Sequence, residues 1–149
     1  MHAFQRAGLD REVKIAHTHY LREEARAIHA TNKEHMSAKQ AAFVLAAESF
    51  LECAKTSRGK ERRVFYHNAA DCFERAAQIF DTADEAARAA AAYEIAEEYN
   101  DAVRLYRKHD KFDEAVNIVT SHRDKVRPEL VQNVVDVARL FYFKEKELK

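Results

Sequence analysis

The chain has 149 residues, and its 47% hydrophobic and 34% charged residues are typical of a folded, charge-rich protein and not of a disordered one. Lys plus Arg balances Asp plus Glu at 25 each, which argues against a protein built mainly to bind nucleic acid or an anionic membrane. No stretch approaches the ~18 consecutive apolar residues of a membrane span, and the N-terminus lacks the apolar segment of a signal peptide, so we expect an intracellular protein.

Helices should dominate the fold, because the chain has only two Gly and one Pro and contains frequent Ala runs. The first predicted helix runs from residue 11 to about residue 30, and Gly8 before it suits the left-handed position that ends a preceding helix. The core-facing residues predicted for this first helix include Val13, Ile15, Ala16, Tyr20, Ala27 and Ile28. A polar break follows the helix over residues 31–36.

Further helices are predicted along the rest of the chain. Ser37 is the predicted N-cap of a helix that ends near residue 54 and faces the core with Ala41, Val44, Leu45, Ser49 and Leu51. Residues 56–61 form the clearest loop, and helices follow over residues 62–80 and 84–98. Pro128 suits the first turn of a last helix that runs to about residue 147.

An aromatic–aromatic–alanine pattern recurs after thirteen residues, as Tyr93, Tyr99 and Ala102 and then as Tyr106, Phe112 and Ala115. Similar offsets begin at Phe4, and a looser copy begins at Phe73. Repetition on this scale is typical of stacked helical arrays. The sequence therefore predicts an all-α fold, a TPR-like right-handed α-solenoid of about seven to eight antiparallel helices in a single domain over residues 1–149.

Each repeat contains a polar break with its own turn chemistry. Glu97 and Asp110 fall at the left-handed position after a helix, and Asn100 and Asp113 are predicted N-caps of the next one. The aromatic residue before each cap, Tyr99 or Phe112, is predicted to pack on the first turn as a hydrophobic staple. The predicted core opposes small residues (Ala70, Ala76, Ala90, Ala96, Ala102, Ala115) with rings (Phe50, Phe65, Phe73, Phe80, Tyr93, Tyr106, Phe112).

The last predicted helix is unusually apolar on one broad stripe, which comprises Val131, Val134, Val135, Ala138, Phe141 and Tyr142. A terminal helix that faces water should be more polar. Because the repeat also opens abruptly at Phe4, we expect the chain to be a segment of a longer solenoid. The alternative is a complete small protein whose last helix is buried or self-associates.

Several segments carry a family resemblance. AAAYEIAEEYNDAVRLYRKHDKFDEAV resembles the tetratricopeptide-like arrays of large eukaryotic proteins, including vesicle-coat and transport-particle subunits. HAFQRAGLDREVKIAHTHYLREEAR, ADCFERAAQIF and ARLFYFKEKELK together resemble the repeat region of very large fungal proteins that carry a UvrD-like helicase module and are similar to animal TPR and ankyrin repeat-containing proteins. The resemblance implies a scaffold segment beside a motor.

The residues offer little for catalysis or metal binding. His17 and His19 point about 200° apart on a helix, whereas a zinc helix needs His at i and i+4. The neighbouring acids Glu23–Glu24 and Glu97–Glu98 are predicted to lie on solvated faces. Cys53 and Cys72 are predicted to be reduced core residues. The phosphate-binding GxxxxGK[ST] loop is absent, so we expect no enzyme activity, catalytic residues, cofactor or metal.

Two basic clusters bear on function, one of Arg58, Lys60, Arg62 and Arg63 and one of Arg104, Arg107, Lys108 and Lys111 around Tyr106. Acids flank both clusters. The leading hypothesis is therefore a non-enzymatic scaffold that binds a protein or peptide partner on a curved surface. The alternative is a nucleic-acid-contacting accessory arm of a helicase-containing protein. A further hypothesis is self-association through the last helix.

Overall fold

The computed structural model describes the backbone of residues 3–148 and the side chains of residues 6–142, and it confirms the all-α prediction. The helices are α1 (Ala3–Ala27), α2 (Lys33–Lys55), α3 (Gly59–Phe80), α4 (Ala83–Ile95), α5 (Tyr99–Lys108), α6 (Phe112–Ser121) and α7 (Pro128–Leu148). A short 3₁₀ turn, Arg123–Lys125, connects α6 and α7, and no described residue lies in a strand. Phe4 and Phe143 lie outside the residues whose side chains are described.

Each helix packs mainly on the helix that follows it in the chain, and α5 also contacts α7. A single hydrophobic core runs through these contacts, from Ala25 in α1 to Val134 in α7. Neighbour-by-neighbour packing of this kind agrees with the helical repeat that the sequence predicts.

The polar breaks contain the predicted left-handed residues. Glu97 has φ 64° and Asp110 has φ 60°, and Asp81 after α3 adopts the same conformation at φ 52°. The Glu98 N–H donates to the Tyr93 carbonyl at 2.9 Å, and the equivalent bond thirteen residues later, from Lys111 N–H to Tyr106 O, is 2.7 Å. These are the hydrogen bonds of a Schellman motif, so the repeated turn ends both helices in the same way.

The prediction that Gly8 ends a helix in the left-handed conformation is wrong. This residue lies inside α1, and a Cβ added there would meet no atom within 4 Å. The helix continues through Gly8, which does not adopt the left-handed conformation seen at Glu97.

The predicted N-caps are also wrong. Asn32, not Ser37, caps α2, and its Oδ1 accepts the His35 N–H at 2.8 Å. Asn100 and Asp113 lie in the first turns of α5 and α6, which begin at Tyr99 and Phe112. These two aromatic residues are therefore the first residues of their helices and not staples before a cap. The N-cap positions are occupied by Glu98 and Lys111, which directly follow the left-handed residues and whose side chains make no capping hydrogen bond.

Burial is confirmed at most of the predicted core positions. All six predicted Ala positions are buried, as are Phe50, Phe65, Phe73, Tyr93 and Tyr106, whereas Phe80 and Phe112 are partly exposed. Cys53 and Cys72 are buried free thiols, as predicted. Burial raises the pKa of the Cys72 thiol to about 11.

The predicted core faces of the first two helices are largely wrong. Val13 and Tyr20 are 60% and 57% exposed, and Leu45 of α2 is 54% exposed. The face of α1 that packs on α2 instead contains Thr18, whose hydroxyl lies 2.6 Å from Ser49 Oγ. Three other predicted core residues are also exposed, namely Ala16 and Ala27 of α1 and Ala41 of α2. The remaining predicted core residues of these helices are partly buried: Ile15, Ile28, Val44, Ser49 and Leu51.

Polar contacts at the α1–α2 interface accompany this choice of face. The Arg11 guanidinium donates to Ser57 Oγ at 2.8 Å and pairs with Glu61 of α3. The Arg22 guanidinium lies over the Phe50 ring, 5.2 Å from its centroid. The same face also buries Ala25 and packs Ile15 and Leu21 against the core, so these contacts supply partners for the polar groups that are buried along with them.

Candidate interaction groove

An open apolar groove of about 740 Å³ lies between α6 and α7. Its lining is mainly aliphatic, and the residues are Val116, Val119, Thr120, Arg123, Val134, Val135, Ala138, Arg139 and Tyr142. Concave apolar surfaces with a few polar groups at the edge are common binding sites. We refer to this feature as the α6–α7 groove.

Helical spacing places the lining residues. Val116, Val119 and Arg123 recur at steps of three and four residues along α6 and the 3₁₀ turn, and Val135 and Tyr142 are seven residues apart on α7. Both series therefore project from one side of their segment. Val119, Val134 and Ala138 are buried at the floor of the groove, whereas Val116 and Val135 are half-buried.

Contacts at both ends of α7 fix the shape of the groove. The Arg127 N–H donates to Asn100 Oδ1 at 2.8 Å, which ties the start of α7 to α5. Towards the other end, the Tyr142 hydroxyl donates to Asp113 Oδ1 at 2.9 Å. The Phe112 and Phe141 rings pack with their centroids 5.6 Å apart. Two hydrogen bonds and one ring contact therefore fix the position of α7 relative to α5 and α6, and with it the shape of the groove.

Two arginines give the groove its charge. Neither Arg123 nor Arg139 makes an ion pair or a side-chain hydrogen bond with any residue that the structure describes. Elsewhere, Arg104 pairs with Glu74 at 3.0 Å and with Asp101 at 3.3 Å. An unpaired guanidinium beside an apolar floor is well suited to bind a carboxylate.

The basic clusters found in the sequence are partly neutralised by local partners. In the first cluster, Arg62 lies over the Tyr66 ring at 4.9 Å and Arg63 is 3.8 Å from Glu97. In the second, Arg104 joins a network in which Glu74 also accepts the Tyr93 hydroxyl at 2.8 Å. This network joins α3, α4 and α5, and the sequence analysis did not anticipate it.

The candidate histidines and acids are dispersed. His19 packs edge-on against Phe50 with ring centroids 5.2 Å apart, whereas His17 stacks beside Tyr20. Glu23 pairs with Arg26 at 2.8 Å. Glu98 lies 2.8 Å from the ring of His67. Within the described part of the chain, no group of three or more His, Cys, Asp or Glu residues could hold a metal ion.

The structure divides the apolar stripe predicted on the last helix. Val131, Val134 and Ala138 are buried within the chain, while Phe141 and Tyr142 remain 45% and 43% exposed. The sequence analysis did not identify the groove, although the spacing of Val116, Thr120 and Arg123 in the sequence is the signal that it left unused.

No protein-family model matches the chain, and the searches of curated proteins and of solved structures gave no match either. Among the described residues, no helix is both long enough and apolar enough to cross a lipid bilayer.

Proposed function

We propose that the chain is a non-enzymatic protein-interaction scaffold, a TPR-like right-handed solenoid of antiparallel helices that binds an acidic amphipathic helix in the α6–α7 groove. The observation that carries the proposal is the open aliphatic groove with Arg123 and Arg139 at its edge, neither of which pairs with a carboxylate among the described side chains of residues 6–142. Amphipathic helices bind such grooves through apolar side chains at i, i+3, i+4 and i+7. Carboxylates beside that apolar row would neutralise the two guanidinium groups.

A peptide-binding measurement tests the proposal. A fluorescent helical peptide with Leu at i, i+3, i+4 and i+7 and Glu on both flanks should bind, and its Lys-flanked counterpart should not. Arg139→Glu should weaken binding of the Glu-flanked peptide by about tenfold, because it replaces an attraction by a repulsion. Arg107→Glu is the matched control, since Arg107 is an exposed arginine of α5 outside the groove.

Equal binding of the two peptides, or equal effects of the two Arg→Glu variants, would exclude the groove as an acidic-helix site. Val135→Asp gives an independent check, because it places a like charge beside the peptide acids and removes an apolar contact at the half-buried edge. Circular dichroism of each variant shows whether the fold is retained.

The alternative function, a nucleic-acid-contacting arm of a helicase-containing protein, rests on the two basic clusters. Arg63 and Arg104 already have carboxylate partners, which reduces the charge available for phosphates. A gel shift with single-stranded and duplex DNA and RNA at low salt tests this alternative, because phosphate contacts are strongest there. Absence of any shift would eliminate it.

A further inference from the structure

The outer face of α1 is an apolar row that nothing in the described structure covers. Leu9, Val13 and Tyr20 are 48%, 60% and 57% exposed, and the exposed Ala16 completes the row. Their spacing of four, three and four residues places all of them on one side of the helix, opposite the buried Thr18. We refer to these four residues as the α1 stripe. An exposed apolar row of this kind usually marks an interaction surface.

Acidic side chains border the central part of the α1 stripe. Glu12 precedes Val13, and Glu24 lies one helical turn after Tyr20 on the other flank. Neither carboxylate makes an ion pair with the described residues, and Glu24 accepts a hydrogen bond from the Tyr20 hydroxyl within the stripe. Arg6 lies before Leu9, outside this central part. The α1 stripe therefore has the chemistry expected of a ligand for the α6–α7 groove.

The two surfaces also match in length. Val13 and Tyr20 are seven residues apart, as are Val135 and Tyr142 on the groove side of α7. At a rise of 1.5 Å per residue, each pair spans about 10 Å, or two helical turns. Within one chain α1 packs on α2 and its stripe stays exposed, so the stripe does not fill the groove of its own copy.

We propose that the α1 stripe of one copy docks in the α6–α7 groove of a second copy, so that the chain self-associates head to tail. The inference rests on the proposed function, in which the groove binds an acidic amphipathic helix. A symmetric contact between two grooves would bring Arg123 and Arg139 of both copies together, and a symmetric contact between two stripes would oppose Glu12 and Glu24. Only a contact between the stripe of one copy and the groove of another pairs opposite charges.

Head-to-tail contacts leave one groove and one stripe free at the ends of each assembly, so association continues beyond the dimer unless a ring closes. Sedimentation velocity should therefore show an average mass that rises with concentration beyond the dimer. Because each contact is a small helix-in-groove interface, we expect the rise between roughly 10 and 500 µM. A strict monomer at about 500 µM would overturn the inference.

Two single variants test the polarity of the contact. Val13→Asp damages the stripe and keeps the groove, whereas Val135→Asp damages the groove and keeps the stripe. Each variant alone should be monomeric, and an equimolar mixture should form a one-to-one heterodimer and nothing larger. Leu45→Asp is the matched control, because Leu45 is a similarly exposed apolar residue that lies on α2. This variant should associate as the unaltered chain does.

Charge exchange provides a second test that leaves the apolar surfaces unchanged. Arg139→Glu should weaken self-association by about tenfold, as it weakens peptide binding, and so should Glu12→Lys combined with Glu24→Lys. An equimolar mixture of the two variants should regain assemblies larger than the dimer, because the stripe of each variant then faces a residue of opposite charge at position 139 of the other. A Val13→Asp variant that still dimerises would overturn the inference. Binding of the Glu-flanked peptide by a chain that stays monomeric would refute self-association and leave the proposed function standing, whereas failure of the peptide to bind would refute the proposed function itself.

Discussion

Phe73 is the side chain whose removal should most clearly test the core. It is 1% exposed in the middle of α3, and the Arg88 guanidinium lies over its ring at 4.2 Å. Truncating a buried Phe to Ala removes its transfer free energy and leaves a cavity, which costs about 3–5 kcal/mol. The lost cation–π contact accounts for about 0.5–1 kcal/mol of this, because Arg88 is partly exposed.

Phe73→Ala should therefore lower the midpoint of thermal unfolding by about 6–20 °C, since 1 kcal/mol corresponds to about 2–4 °C in a chain of this size. Circular dichroism at 222 nm follows the unfolding by heat and by urea. Leu45→Ala is the control, because Leu45 is 54% exposed, lies outside the α1 stripe and should change the unfolding free energy by less than about 0.5 kcal/mol. If the two variants unfold alike, the assignment of Phe73 to the core is incorrect.

Three further predictions concern local features. Glu97→Gly should raise the free energy of unfolding by about 1 kcal/mol in urea titrations, because Gly adopts a φ of 64° without steric cost, and an unchanged midpoint would contradict this. Asn32→Ala should lower the free energy of unfolding by about 1 kcal/mol and Ser37→Ala should change it little, since only Asn32 caps α2; the reverse order would restore Ser37 as the cap. Because the pKa of Cys72 is raised to about 11 from 9.0, its contribution to stability should be complete below pH 9 and be lost towards pH 11, where the thiol ionises only in the unfolded chain; Cys72→Ala should show a smaller loss over that range, and parallel curves would disprove the shift.

The features that the sequence predicted correctly depend on residues close together in the chain. The left-handed turns at Glu97 and Asp110 need only hydrogen bonds across six consecutive residues, and the thirteen-residue repeat shows where they fall. Pro128 begins α7 for an equally local reason, since its fixed φ suits the first helical position. Burial of Ala102 and Tyr106 follows from helical spacing within α5.

The N-caps show where local reasoning fails. Asn100 and Asp113 have the side chains that capping requires, yet helices α5 and α6 begin one residue earlier. Both side chains instead accept hydrogen bonds from the C-terminal part of the chain. Asn100 accepts the N–H of Arg127, the residue before α7, and Asp113 accepts the hydroxyl of Tyr142 in α7. These partners are 27 and 29 residues away, so no local pattern identifies them.

The sequence by itself determined that this chain is helical, where most turns fall and which Ala and aromatic residues of the later helices are buried. Only the tertiary structure decided which face of α1 is buried, because α1 has apolar residues on opposite sides. Hydrophobicity favours Val13 and Tyr20, but Thr18 and Arg11 face the side where Ser49 and Ser57 supply hydrogen bonds. Ile15, Leu21 and Ala25 pack on the core from that same side, so its burial covers apolar surface while the hydrogen bonds satisfy the polar groups, and the Val13 side is left open.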